Sequence, residues 1–115
     1  MKVYYLEIVT PDPESLCAQY SISTEATFGE PVPVLGGARL AALSDGGMIG
    51  IRGPLRDTEG PVVRPYFLVE DIDESLSSAS KAGGEIAMPS TPIPGYGRFA
   101  ILIRDGIESG LWQVD

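Results

Sequence analysis

Alternation of apolar and polar positions organises this chain from its first residues. Val3 to Val9 is rich in β-branched and aromatic side chains and predicts a strand, with Leu6 and Ile8 on one face and Tyr5, Glu7 and Val9 on the other. The period changes at Asp12-Pro13. Aspartate is a favoured helix cap and proline a favoured first helical residue, and Leu16 and Tyr20 then share a face at four-residue spacing. This helix fades near Ser23. Val32 to Leu35 predicts a weak edge strand interrupted by Pro33. Ala38 to Leu43 and Met48 to Ile51 predict two short strands joined by a turn at Asp45-Gly46.

A polar connection from Gly53 to Pro61 separates this series from a second one. Val62 to Val69 predicts a strand. A helix starts at Asp71 or Asp73, carries the stripe Ile72, Leu76 and Ala79, places Lys81 in its last turn and stops at Gly83. Glu85 to Met88 predicts a short strand. Pro89 to Gly97, with three prolines and two glycines, predicts a shaped loop. Arg98 to Ile103 and Gly110 to Val114 close the series around a turn at Asp105-Gly106.

The two series match as strings and not only as elements. Arg39-Leu40-Ala41-Ala42-Leu43-Ser44-Asp45-Gly46 reads against Arg98-Phe99-Ala100-Ile101-Leu102-Ile103-Arg104-Asp105-Gly106, and Asp12-Pro13-Glu14-Ser15-Leu16 against Asp71-Ile72-Asp73-Glu74-Ser75-Leu76. Such self-similarity predicts a duplicated β-α-β-β-β module, the first over about residues 1–53 and the second over about 62–115, within one domain.

Composition narrows the functional classes. A net charge of −8 repels phosphate backbones and argues against nucleic acid as a partner. No apolar run approaches the roughly 18 residues of a membrane helix, and no signal-peptide layout is seen, so a cytoplasmic, membrane-free protein is expected. The lone Cys17 cannot make an internal disulfide and is expected to pack as a small hydrophobe. Histidine is absent, which removes Ser-His-Asp chemistry, and no phosphate-binding glycine loop is found.

Paired β-α-β-β-β modules in 115 residues resemble the vicinal oxygen chelate superfamily of glyoxalase I, bleomycin-binding proteins and extradiol dioxygenases. Tyr5-Leu6-Glu7-Ile8-Val9-Thr10-Pro11-Asp12 looks like its first strand and helix cap. Tyr66-Phe67-Leu68-Val69-Glu70-Asp71-Ile72 looks like the start of its second module, and Ile101-Leu102-Ile103-Arg104-Asp105-Gly106 with Gly110-Leu111-Trp112-Gln113 looks like its closing hairpin. The resemblance implies an α+β fold: a curved, barrel-like mixed sheet with the helices on its outer face. It also implies a homodimer. Metal-bearing members take His, Glu or Gln ligands from the first and last strand of each module, and those positions fall here at Tyr5, Gly50, Arg64 and Gly110. Glycines carry no donor side chain and arginine is a permanent cation, so neither a metal nor another cofactor is expected.

By alternation and by the repeat, the residues left facing the concave side are Tyr5, Glu7, Met48, Arg52, Arg64, Tyr66 and Trp112. Aromatic walls with a few polar groups suit a small organic ligand. Tyr5, Met48, Arg52, Tyr66 and Trp112 are the expected ligand contacts, with Gly50 and Gly110 leaving room. The first expectation is metal-free binding or sequestration of a small molecule. The alternative is a metal-independent isomerase, lyase or hydroxylase-like enzyme, with Glu7 as acid or base and Arg64 as oxyanion partner. A dimeric accessory domain without a ligand is the third reading. The same face also admits purely structural readings: a Glu-Arg pair within a sheet, and packed aromatic rings.

Overall fold

A computed structural model describes all 115 residues. Seven strands and two helices give a mixed α+β structure: β1 (Val3–Val9), α1 (Pro13–Thr24), β2 (Arg39–Ala42), β3 (Met48–Arg52), β4 (Val62–Leu68), α2 (Ile72–Lys81), β5 (Glu85–Ile93), β6 (Gly97–Arg104) and β7 (Ile107–Gln113). The chain divides into two compact units. One is Tyr5–Val63; the other is Arg64–Asp115 together with Met1–Tyr4.

In the first unit, β1 and β3 run parallel and β2 pairs antiparallel with β3. Asp12 caps α1 by accepting from the Ser15 amide at 3.1 Å, and Pro13 opens the helix where its missing N–H costs nothing. Leu16 and Tyr20 then pack, with Leu6, against a core of Ile8, Cys17, Phe28, Ala41, Ile49 and Ile51. The face assigned to Leu6 and Ile8 by alternation is thus the helix-covered face. Pro33–Leu35 is a 3-10 turn and not an edge strand; only Val32 makes a single bridge, to Ala38. Pro33 has no N–H for a ladder, and the turn closes instead through the Leu35 and Gly36 amides, which donate to Val32 and Pro33 carbonyls.

The second unit keeps the full β-α-β-β-β order. β4 is parallel to β7, and β7, β6 and β5 pair antiparallel. Asp71 caps α2, and the Gln113 side-chain oxygen accepts from the first amide of the helix, Ile72, which has no intrahelical partner, at 2.8 Å. Ile72 and Leu76 pack on Ala100, Leu102 and Leu111. Asp105 and Gly106 both adopt positive φ (50° and 79°), the geometry of a two-residue hairpin turn. Two boundaries differ from expectation. β5 runs on through Pro89 to Ile93 where a loop is expected, with register shifts after Ile86 and Met88. An unpaired edge tolerates proline, and the shifts absorb its lost donor. β7 begins at Ile107, three residues before the expected start at Gly110.

Met1–Tyr4 belong with the second unit because the Leu68 amide donates to the Lys2 carbonyl at 2.9 Å and the Tyr4 ring lies 5.7 Å from that of Trp112. The repeated arginines also have matching duties. Arg39 donates to the Gly29 carbonyl (2.8 Å) and to Glu14, and Arg98 donates to the Ser90 hydroxyl (2.8 Å); each pins a segment that follows its module's helix.

Cys17 is a free, buried thiol. Burial pushes its pKa up, Arg39 opposes this, and Glu14 adds to it. A raised thiol pKa favours the folded state below the unfolded thiol's value, and this contribution is lost as pH rises through the folded one. A disulfide exchange reagent at pH 8 is therefore expected to modify Cys17 slowly in the native protein and rapidly, at one thiol per chain, in urea. Fast native labelling overturns this placement of α1.

Candidate functional site

In the first unit, three rungs of the β1–β3 pair lie opposite the helix-covered side: Tyr5 with Met48, Glu7 with Gly50, and Val9 with Arg52. All but Met48 are buried, and Met48 is half-buried. Strand alternation delivers them together. The Tyr5 ring reaches along this face onto Gly50: a methyl built there would lie 2.6 Å from the ring carbon Cζ. The space expected to admit a ligand over Gly50 is therefore taken by the protein's own tyrosine.

Arg52 is the electrostatic centre of this unit. Its Nε donates to Glu7 Oε2 at 2.9 Å, and its two terminal nitrogens hold both oxygens of Glu59 at 2.9 Å each, with a further bond to the Gly53 carbonyl. The guanidinium is only 5% exposed as a side chain. The Glu59 hydrogen bonds hold its pKa well above the ordinary arginine range, burial opposes them, and Glu7 reinforces them. Gly36, after the 3-10 turn, makes room for the stem of Arg52; a Cβ there would stand 3.1 Å from Cδ.

The second unit presents the equivalent face with different side chains. Tyr66 pairs with Gly110 and Leu68 with Trp112. The Tyr66 ring covers Gly110, where an added methyl would sit 2.7 Å from Cγ. Trp112 is 1% exposed, meets Tyr66 edge to face at 5.9 Å, and donates its indole N–H to the Tyr96 carbonyl at 3.0 Å. Phe99 adds a second edge-on contact to Tyr66 at 6.1 Å. Arg64 donates Nε to Glu108 at 2.6 Å, with the carboxylate more exposed than the guanidinium.

The structure thus brings Tyr5, Glu7, Met48 and Arg52 to one face of the first unit, and Arg64, Tyr66 and Trp112 to the matching face of the second. Two residues not anticipated join them. Glu108 lies two positions before Gly110, so an earlier start for β7 reveals it by alternation. Glu59 sits in the irregular 53–61 connection, where no periodic signal exists.

A metal frame of the vicinal oxygen chelate type fits these residues poorly. Two of its four positions are glycines roofed by tyrosine rings, one is tyrosine, and one is an arginine already paired with Glu108. No cluster of three or more His, Cys, Asp or Glu side chains is placed to hold a metal ion.

No known protein-family profile matches the chain. Over 90 residues it is 30% identical to "Putative glyoxylase CFP32" of Mycobacterium bovis and to the same-named protein of Mycobacterium tuberculosis. The match covers 74% of the chain and 34% of each relative, so the chain spans about a third of the length of these curated proteins. Among solved structures, hypothetical protein BH1468 from Bacillus halodurans superposes with a TM-score of 0.81 at 14% identity, covering 99% of this chain and 94% of that one. Methylmalonyl-CoA epimerase from Mycobacterium tuberculosis gives 0.73 at 16% identity (96% and 86% covered). The Streptomyces coelicolor epimerase in complex with 2-nitronate-propionyl-CoA gives 0.70 at 18% (99% and 97% covered). Duplicated modules, shared strand order and these likenesses define a glyoxalase-like scaffold. The chain has the fold of the vicinal oxygen chelate superfamily.

The glycine–tyrosine contacts carry a stability prediction. Gly110→Ala meets the Tyr66 ring near its root, where it cannot swing aside, and is expected to cost about 1–3 kcal/mol. Gly50→Ala meets the far end of Tyr5 and is expected to cost less. Urea midpoints of the two variants check the order; equal, negligible shifts would show that neither ring is held in place.

Proposed function

We propose that this chain is a small-molecule-binding domain of the vicinal oxygen chelate class that works without a divalent metal. The observation supporting it most directly is the pair of glycines at ligand positions of the metal frame, each roofed by a tyrosine ring from the neighbouring strand. The glyoxylase and epimerase names among its relatives and fold neighbours support a small-molecule site. The side chains on the equivalent faces, Tyr5 and Arg52 in one unit and Arg64, Tyr66 and Trp112 in the other, are of the aromatic and cationic types that hold an organic ligand with an anionic group; all five are buried, so a ligand reaches them only by displacing part of their packing. Met48 contributes an adaptable apolar contact.

Binding is better supported than acid–base turnover. Glu7, the proposed base of an enzyme, has Oε2 engaged by Arg52, and Arg64, its proposed oxyanion partner, has Nε engaged by Glu108. The protein is further proposed to be a cytoplasmic homodimer. The half-exposed Ile86 and Met88 on β5 and the single free thiol support this. No helix is long and apolar enough to cross a membrane.

Native mass spectrometry of freshly purified protein, with elemental analysis of the same sample, tests the proposal. The expected result is a dimer mass, a copurified or added organic ligand, and far less than one divalent ion per chain. A stoichiometric divalent ion overturns the metal-free reading. Glu7→Gln is expected to alter ligand affinity without abolishing binding; loss of a turnover activity present in the wild type would instead establish the enzyme.

A further inference from the structure

We infer that the Arg52 guanidinium is a binding site for a ligand carboxylate, closed in this structure by the protein's own Glu59. The inference deepens the binding function proposed above and relies on it for the existence of a ligand. Its basis is the unequal standing of the two acids on one cation. Glu7 is fixed: it lies within β1, in register with Gly50 of β3, and it meets the guanidinium at Nε–H. Glu59 is borne by the irregular connection between β3 and β4, in which residues 54–58 are all exposed. Yet Glu59 holds the two-pronged terminal edge of the guanidinium, the edge whose geometry matches a free carboxylate.

Glu59 also organises the segment that carries it. Its Oε1 accepts from the Leu55 amide at 2.8 Å, and its own amide donates to the Arg56 carbonyl at 3.1 Å. The segment is in this way a strap folded around one carboxylate and fastened to Arg52. Exchanging Glu59 for a ligand carboxylate keeps the two hydrogen bonds at the fork of Arg52 and the charge beside it, while the displaced acid gains water. The exchange is a competition between an intramolecular carboxylate at high effective concentration and a free one, so apparent affinity is the intrinsic affinity multiplied by the fraction of chains whose strap is open.

The test uses acetate as probe and the Arg52 Nε–H nuclear magnetic resonance signal as readout, alongside limited trypsin cleavage after Arg56 in the strap. Glu59→Gln is expected to half-saturate at about tenfold less acetate than the wild type, and to be cut after Arg56 faster without acetate. In the wild type, acetate itself is expected to speed that cut, which a merely structural ion pair would not allow. Glu59→Asp, with its carboxylate drawn back by one methylene, should fall between the two and stands in if Glu59→Gln does not fold. Adding Arg52→Lys to Glu59→Gln should remove the gain, since lysine lacks the fork. Equal half-saturation in wild type and variants, or acetate binding that leaves the cut unchanged, overturns the strap. If native mass spectrometry finds a bound molecule while these results are negative, the binding function survives and the strap alone fails. If the variants gain acetate but no organic ligand is ever found, the reverse holds.

Discussion

A tyrosine ring packed against a glycine of the neighbouring strand is the constraint around which both units are built. Neither partner works alone. Any side chain at Gly50 or Gly110 would occupy ring volume, and without the ring each glycine would open a void beside a buried strand. The two units reach this arrangement differently. In the first, Tyr5 leans along the sheet from the rung next to Gly50; in the second, Tyr66 stands on the same rung as Gly110. What the duplication preserved is the glycine and its cover, and the residue supplying the cover moved by one alternation step. The freed rung in the first unit holds Glu7, and that substitution brings charge into its interior.

Charge brought indoors must be answered locally, and Arg52 gives the answer. Its position corresponds to Trp112 in the second unit, so one module anchors its strand end with a guanidinium and the other with an indole. The indole needs one acceptor, which Tyr96 supplies. The guanidinium has five N–H donors and draws in Glu7, Gly53 and Glu59. A buried ion network of this kind contributes little net stability, because desolvation offsets most of the attraction, but it makes every partner obligatory. The connection between modules is thereby tied to the end of β3.

Local rules made much of this readable beforehand. Leu6 and Ile8 against Tyr5 and Glu7 follow from alternation alone, and both helix starts follow from an aspartate whose side chain caps an amide three residues on. The 3-10 turn at Pro33–Leu35 escaped because a β-rich string gives no warning that its proline lies in a turn. The extension of β5 past Pro89 escaped because proline reads as a breaker unless the strand is known to be an edge. At the site, the facing residues were legible but their partners were not. Arg52 looks like a free ligand contact in the sequence; that it is claimed by Glu59 seven residues later depends on the fold of an aperiodic loop. The space above the glycines looked open for the same reason, since the reach of a tyrosine along a sheet is set by packing and not by spacing.

The division of β1 between units has a consequence for how the chain is made. Residues 1–4 are made before residues 5–63, yet they complete the unit that is otherwise formed by residues 64–115. The Lys2–Leu68 hydrogen bond spans more than half the chain and closes only after most of it has been synthesised. Until then the second unit lacks the strand that carries Tyr4 to Trp112, while residues 5–63 already hold their complete set of helix and strands. Synthesis therefore runs in an order that the finished structure conceals: residues 5–63 can settle early, while residues 1–4 wait for residues 64–115.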